Sequence, residues 1–368
     1  MPRKLKKLIR NIEKIAPKKL AEKWDNVGLL VGDIESDINT VLVALEATSE
    51  VIDEAIDNNV DMIITHHPLI FNKLKAVVND NPIGSMIHKL IKNNISVYAI
   101  HTNLDVAYGG TNDLLGELVG LENKNVLVPT MKEDYYKIIV YVPTSHKEKV
   151  MDSMCSQGAG HIGEYSHCTF QSIGKGTFKP SEEANPFIGE SNKLEYVEET
   201  KLETIVSKNH LNKVINKMIE SHPYEEVAYD IFKLENNILK YGLGRVGTIK
   251  ESTLEEVCKN IKDKLAIESL KVVGNMDRKI EKVALCTGSG ASFIENAHRL
   301  GCDLYITGDV KYHDAQNAKE LGICVIDAGH FETENIVCDL VAEYLTKELN
   351  NNVKVLVSKL NINPFKTI

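Results

Sequence analysis

Short apolar runs alternate with helical stretches near both ends of this chain. Residues 41–48, Val-Leu-Val-Ala-Leu-Glu-Ala-Thr, form one such run. A helix cap is expected at Ser49, followed by Val51, Ile52, Ala55 and Ile56 at helical spacing. Residues 61–65, Asp-Met-Ile-Ile-Thr, read as a buried strand by length and composition. The same grammar returns late in the chain: an apolar run at 282–286, a Gly/Ser turn, a helix over 293–300, and Asp-Leu-Tyr-Ile-Thr at 303–307. Aligning 61–65 with 303–307 sets His66 and His67 opposite Gly308 and Asp309, and aligning 95–99 with 323–327 sets Thr102 opposite His330. Strands alternating with helices of about a dozen residues predict βαβ units and a parallel sheet. Two such halves imply a pseudo-symmetric α/β domain.

Between the halves the pattern changes. Residues 136–142 alternate as a strand, 147–157 read as a helix, and 166–178 as strand material around glycines. A strand at 201–206, a helix over 209–221 with its cap at Asn209, and an alternating run at 227–232 follow. The order β-α-β-β-α-β is the ferredoxin-like pattern, and the polar stretch 180–192 is a loop within it. We therefore divide the chain into a discontinuous α/β domain, residues 1–128 and 246–368, and an inserted α+β domain, residues 129–245.

With 368 residues, 43% of them apolar, the chain can bury a sizeable core in two or three units. Its net charge of -9 lies in short mixed runs with no basic stripe, so nucleic acid is an unlikely partner. Seven cysteines without a Cys-x-x-Cys pair point to reduced, buried thiols in a cytoplasmic protein. The basic start, Met1 to Lys7, leads into a helical pattern that soon gains Glu13 and builds no signal-peptide core. No apolar stretch approaches the roughly 18 residues of a membrane span.

Polar motifs follow the ends of the expected strands: Thr65-His66-His67-Pro68, His101-Thr102-Asn103-Leu104-Asp105, and Gly329-His330-Phe331-Glu332-Thr333-Glu334. Ligands of open α/β sheets collect beyond the carboxyl ends of the strands. His330 and Glu334 share a helix face if a helix begins just before them. Imidazole and carboxylate suit Zn, Fe, Mn, Co or Ni rather than an all-oxygen site. Together His66, His67, Asp105, His330 and Glu334 offer too many donors for one tetrahedral ion, and suit two ions with a bridging carboxylate. Two divalent ions sharing a water suggest hydrolysis; a non-catalytic metal-binding, metal-delivery or regulatory protein is the alternative. His101 and His313 are candidate proton carriers beside the ligands, with Lys311, Tyr312 and Glu332 also close in sequence.

These motifs, with Trp24-Asp25-Asn26-Val27-Gly28-Leu29 and Gly308-Asp309-Val310-Lys311-Tyr312-His313, resemble the NIF3 family, whose members are named GTP cyclohydrolase 1 type 2 homologs. The resemblance spans nearly the whole chain. The insert is similar to the PII/CutA-like domain of longer members through Gly158-Ala159-Gly160-His161-Ile162-Gly163 and His222-Pro223-Tyr224-Glu225-Glu226. It implies a dinuclear metal site on His66, His67, Asp105, His330 and Glu334, a toroidal homohexamer with the sites facing an internal cavity, and a nucleotide or small-molecule ligand. The nearest named activity opens the purine ring of GTP, though that activity does not extend to all members. Glu46 stands where the family pattern leads us to expect aspartate.

Two further motifs are weaker. Gly242-Leu243-Gly244-Arg245-Val246-Gly247 matches G-x-G-x-x-G, but the next helix start is a capping box at Ser252 to Glu255. A turn re-entering the α/β domain is expected there, not a dinucleotide site. Thr287-Gly288-Ser289-Gly290 is a strand-to-helix turn whose amides can face an anion. His161, His167 and His222 have no carboxylate at ligand spacing and are expected to be structural or interface residues.

Overall fold

The computed structural model describes residues 3–236, 240–350 and 352–366. The chain divides into two units, residues 1–131 with 241–368, and residues 132–240. In the first unit, both apolar grammars fold as successive parallel strands with intervening helices. Thr40–Ala44, Met62–Thr65 and Ser96–Ala99 lie side by side in parallel. Lys354–Val357 adds in parallel at one edge and Gly28–Val31 antiparallel at the other. A second sheet has Lys279–Leu285, Leu304–Thr307 and Cys324–Asp327 as its parallel centre. Lys271–Val273 and Lys240–Thr253 flank that centre antiparallel, with Glu122–Lys132 outermost.

Every residue of Met62–Thr65, Ser96–Ala99, Leu304–Thr307 and Cys324–Asp327 is buried, as parallel strands covered on both faces require. Their period of two sorts the side chains. Met62, Ile64 and Tyr98 pack with Leu5, Leu8 and Ile12 of the helix Leu5–Ile15 and with Val341 and Leu345 of Val337–Leu349. Ile63 and Val97 pack on the opposite face with Val51 and Ala55 of Ser49–Asp57 and Ile87 and Leu90 of Pro82–Lys92. In the second sheet, Leu304 and Ile306 meet Leu254, Val257 and Ile261, whereas Tyr305 turns to Ile294, Ala297 and Ala318.

The repeat extends to hydrogen bonds. The Asp61 carboxylate accepts from the Asn39 and Thr40 amides at 2.7 and 2.9 Å. The Asp303 carboxylate accepts from those of Glu281 and Lys282 at 3.1 and 2.9 Å. Asp61 pins the start of Thr40–Ala44, and Asp303 the middle of Lys279–Leu285. At the other end, the carbonyls of Thr65 and Thr307 each accept at 2.8 Å, from the amides of Ile100 and Ala328.

Three local expectations shift. Thr48, not Ser49, caps its helix, its hydroxyl accepting from the Val51 amide at 3.3 Å. The capping box is Thr253 with Glu256, one residue beyond the expected pair. In both cases adjacent residues compete for the cap, and the extended backbone of the threonine decides. Asn209 lies inside the helix Lys208–Ser221, where its amide donates to Glu133.

Residues 242–247 are part of the strand Lys240–Thr253, not a turn. A Cβ at Gly242 or Gly247 would stand 2.1 Å from the Val128 carbonyl or 2.2 Å from that of Glu122, so these glycines allow the adjacent strand to lie close. Between them sits Arg245, 1% exposed. It grips Asp113 bidentately at 3.0 and 2.8 Å and donates to the carbonyls of Gly242, Gly244 and Ala107. The glycine motif thus frames a buried arginine rather than a phosphate.

The second unit is an antiparallel sheet ordered Tyr229–Leu234, Tyr135–Pro143, Glu195–Ser207, Thr169–Phe178. The helices Lys147–Cys155 and Lys208–Ser221 pack Val150, Met154, Val214 and Met218 against Ile138, Val140, Leu202 and Val206. Both His222 ring nitrogens are engaged, Nε2 with the Tyr141 carbonyl at 3.0 Å and Nδ1 with the Tyr224 amide at 3.1 Å. All seven cysteines are free; Cys168 is half-buried and the others buried. No described helix is long and apolar enough to cross a membrane.

Candidate metal centre

His66 and His67 follow the last residue of Met62–Thr65, and His101 lies two residues beyond Ser96–Ala99. Asp105 is on the short helix Thr102–Val106, and His330 and Glu334 open and close another, His330–Glu334. The carboxyl ends of strands from both sheets therefore deliver these side chains to one place. His66, His67 and His101 each offer a donor atom within 4.8 Å of the others, and so do His67, His330 and Glu334. His67 belongs to both groups.

The imidazoles share one orientation rule. Nδ1 of His66 donates to the Ile100 carbonyl at 2.8 Å. Nδ1 of His67 meets Glu46 at 2.8 Å, that of His101 meets Asp25 at 2.9 Å, and that of His330 meets Asp309 at 2.7 Å. Each ring is held through Nδ1, which leaves Nε2 as the donor. Asp25 is itself fixed by the Thr102 hydroxyl at 2.5 Å and the Thr102 amide at 3.1 Å.

Inside the cluster the donors converge with few well-formed hydrogen bonds among them. His66 Nε2 lies 3.6 Å from Asp105 Oδ1 and 3.9 Å from Glu334 Oε1. It and the Asp105 oxygen are buried without a hydrogen-bond partner. His330 Nε2 stands 2.9 Å from Glu334 Oε2 but off the line of a hydrogen bond. Only His67 Nε2 makes such a bond to Glu334, at 2.8 Å. Buried lone pairs and carboxylates aimed at one another are costly unless a cation lies among them. The donor set thus fits a divalent metal.

Protons are the cation available to the chain alone. Burial opposes charge on His66 and His67, but Asp105 and Glu334 hold the first imidazole above its usual range, and Glu334 and Glu46 push the second up to about 10. Glu334, with Asp309, raises His330 to about 9. Burial works against ionised Glu334, yet the histidines keep its carboxyl well below the usual range. Asp105 is pushed upward by burial, which His66 only partly offsets.

The glycines leave room for this packing. A Cβ on Gly288, at φ +63°, would stand 1.9 Å from Glu334 Oε1 and 3.3 Å from His330 Nε2. The turn at residues 287–290 is therefore part of the site's wall. Asp309 adopts φ +55°, a conformation uncommon outside glycine, while holding His330. A cleft of about 800 Å³ opens beside His67 and His330, lined also by Glu46, Lys271, Phe331 and Phe365.

His66, His67, Asp105, His330 and Glu334 are thus brought together, and His101 joins them as a further donor rather than standing outside them. His313 does not: it is exposed on the first turn of Tyr312–Leu321, edge-on to Tyr312. Asp25 and Asp309 sit within runs conspicuous in the sequence, but nothing there assigns them to particular histidines. Asp25 is separated by 76 residues from the ring it holds. Glu46, for all its extra methylene, closes its bond to His67. Gly288 gave only a turn signal.

A family model described as Duf34/NIF3 (NGG1p interacting factor 3) matches residues 3–364. The chain belongs to the Duf34/NIF3 family. A Bacillus subtilis member, named GTP cyclohydrolase 1 type 2 homolog, is 47% identical over 362 residues, covering 97% of each chain. A Halalkalibacterium halodurans member of the same name is 44% identical, covering 98% of each. The crystal structure of a Bacillus cereus protein related to NIF3 superposes with a TM-score of 0.91 at 42% identity, covering 100% of both chains. The mixed α/β fold is therefore that of NIF3 proteins, and its His/Glu cluster is a possible metal site in this member.

Proposed function

We propose that this NIF3 protein is a divalent-metal-dependent hydrolase built on a two-ion site, with Zn, Fe, Mn, Co or Ni as the metal class. The observation that carries the reading is the pair of donor groups sharing His67, with buried, unpartnered Nε2 and carboxylate atoms between them. His66, His67, Asp105, His330 and Glu334 would hold the ions, and His101 is read as a sixth donor in place of a free proton carrier. When bound, paired divalent ions lower the pKa of water and polarise a substrate oxygen. Glu46, Asp25 and Asp309, with the Ile100 carbonyl on His66, would keep the imidazoles in the Nδ1–H form, so that every Nε2 faces inward. The adjacent cleft has the volume of a small-molecule site.

The name carried by the relatives makes GTP the first substrate to test. The reading also includes a homohexamer. In the unit of residues 132–240, two helices on an antiparallel sheet with the strand order described above support a ferredoxin-like, PII/CutA-like insert.

The test is elemental analysis of protein purified without chelators, joined to a nucleotide and phosphoester screen of wild type, His66→Ala and Asp105→Ala. The proposal expects more than one equivalent of transition metal per chain and turnover lost in both folded variants. Bound metal without turnover on any substrate would favour metal storage or delivery. Less than about half an equivalent would remove the basis for both.

A further inference from the structure

The second unit contains a cavity of about 480 Å³, walled by Phe178, Phe187 and Tyr224 and by the carboxylates of Glu199 and Glu225. The rings touch in sequence: Phe178 and Tyr224 centroids are 5.8 Å apart at 61°, and Phe187 and Tyr224 are 6.4 Å apart at 53°. Their planes are inclined rather than stacked. Tyr224 is further braced by the His222 ring, 5.1 Å away, and His222 is itself fixed through both nitrogens.

Two features mark this wall as more than packing. Phe187 remains 52% exposed although it lines a concavity, and the Tyr224 hydroxyl is enclosed beside the Glu199 carboxylate but off the line of a hydrogen bond. The carboxylates are also placed. Gly176, near the end of Thr169–Phe178, has no positive φ to account for it. A Cβ there would stand 2.1 Å from Glu199 Oε2, so its absence makes room for the carboxylate. Glu225 accepts from the Asn185 amide at 3.0 Å and ties down the 180–192 loop that forms the rim. Lys179 is the one cation among the lining residues, against three glutamates.

Aromatic faces with carboxylates on a concave wall attract one ligand chemistry, an organic cation carrying apolar bulk: the ring quadrupoles and the carboxylates favour positive charge, and the rings shed water onto its methyl groups. We propose that this cavity binds a small alkylammonium ion, its charged head against Tyr224 and Glu199 and its alkyl surface against Phe178 and Phe187. The site lies wholly within residues 132–240, so it stands or falls independently of the metal centre.

The test uses full-length, metal-loaded protein titrated with choline and with its uncharged tert-butyl isostere, followed by calorimetry and saturation-transfer NMR. Choline is expected to saturate and the isostere to bind at least about tenfold more weakly. Tyr224→Leu should weaken choline by about three- to thirtyfold, whereas Tyr224→Phe keeps the ring and stays within about threefold. Glu199→Gln, a change of charge at nearly constant volume, should cost several-fold while leaving the circular dichroism unchanged. The proposal is overturned by equal binding of the isostere, by an unchanged choline affinity in Tyr224→Leu or Glu199→Gln, or by no saturable binding up to about 10 mM, a bound just weaker than the millimolar range.

Discussion

Gly288 offers a way to disturb the metal centre without removing a donor. Substituting alanine sets a Cβ 1.9 Å from Glu334 Oε1, and ordinary contact requires the carboxylate to retreat by roughly 1.5 Å. Metal–ligand distances tolerate only about 0.2 Å. Glu334 cannot move freely, because His67 and His330 hold its other oxygen at 2.8 and 2.9 Å. We expect Gly288→Ala to weaken metal binding by at least about ten- to hundredfold, the range for displaced supporting contacts at metal sites. The positive φ adds a backbone cost of about 1–2 kcal/mol that has nothing to do with metal. Gly301→Ala isolates that cost: its φ is +70° and nothing lies within 4 Å of the added methyl. Competition against a chromophoric chelator gives the affinities, and urea melts of chelator-stripped protein give the stabilities. Gly288→Ala should lose at least as much stability as Gly301→Ala, and only Gly288→Ala should lose metal. Wild-type affinity in Gly288→Ala, or an equal loss in Gly301→Ala, would refute the placement of Glu334 as a ligand.

Other consequences can be measured alongside. The imidazoles of His67 and His330, raised to about 10 and 9, stabilise the metal-free fold most fully below their unfolded pKa of about 6.5 and lose that contribution as pH rises through 9 and 10. Metal binding must displace the same protons, so affinity should climb about tenfold per pH unit for each one released. The gap in melting temperature between loaded and stripped protein should therefore widen from pH 7 to 9; a constant gap would contradict this. Arg245→Met leaves buried Asp113 with the longer ionic contact to Lys124 Nζ at 3.7 Å and should cost up to about 3–5 kcal/mol in urea unfolding, most of it recovered in the double variant with Asp113→Leu; a loss below about 1 kcal/mol would show that Lys124 or water replaces the guanidinium. Light scattering should give about six times the 41.1 kDa chain mass, and a monomer or dimer would end the hexamer reading.

Much of the first unit could be read because its strands are short, apolar and bounded by polar residues: 62–65, 96–99, 304–307 and 324–327 fall within the expected runs. The donors were visible for the same reason, as strand ends are where a parallel sheet puts its ligands. What the sequence could not convey is pairing across distance. Asp25 and Asp309 are ordinary acids until the fold brings each beside a particular ring, and His101 and His313 look alike until one faces inward and the other solvent. Gly288 carries its information in a side chain that is absent. Arg245 was hidden behind glycines that imitate a phosphate motif.

His66, His67, His101 and Asp105 all lie in the first third of the chain, whereas Glu334 follows His67 by 267 residues. A ribosome adding about 5–20 residues per second needs on the order of tens of seconds to cross that interval. Throughout it the nascent chain displays three histidines and an aspartate without their acidic counterpart. Under the proposed two-ion reading, the full donor set is complete only once Glu334 has been made, so an ion taken up earlier would meet only the donors of the first third of the chain.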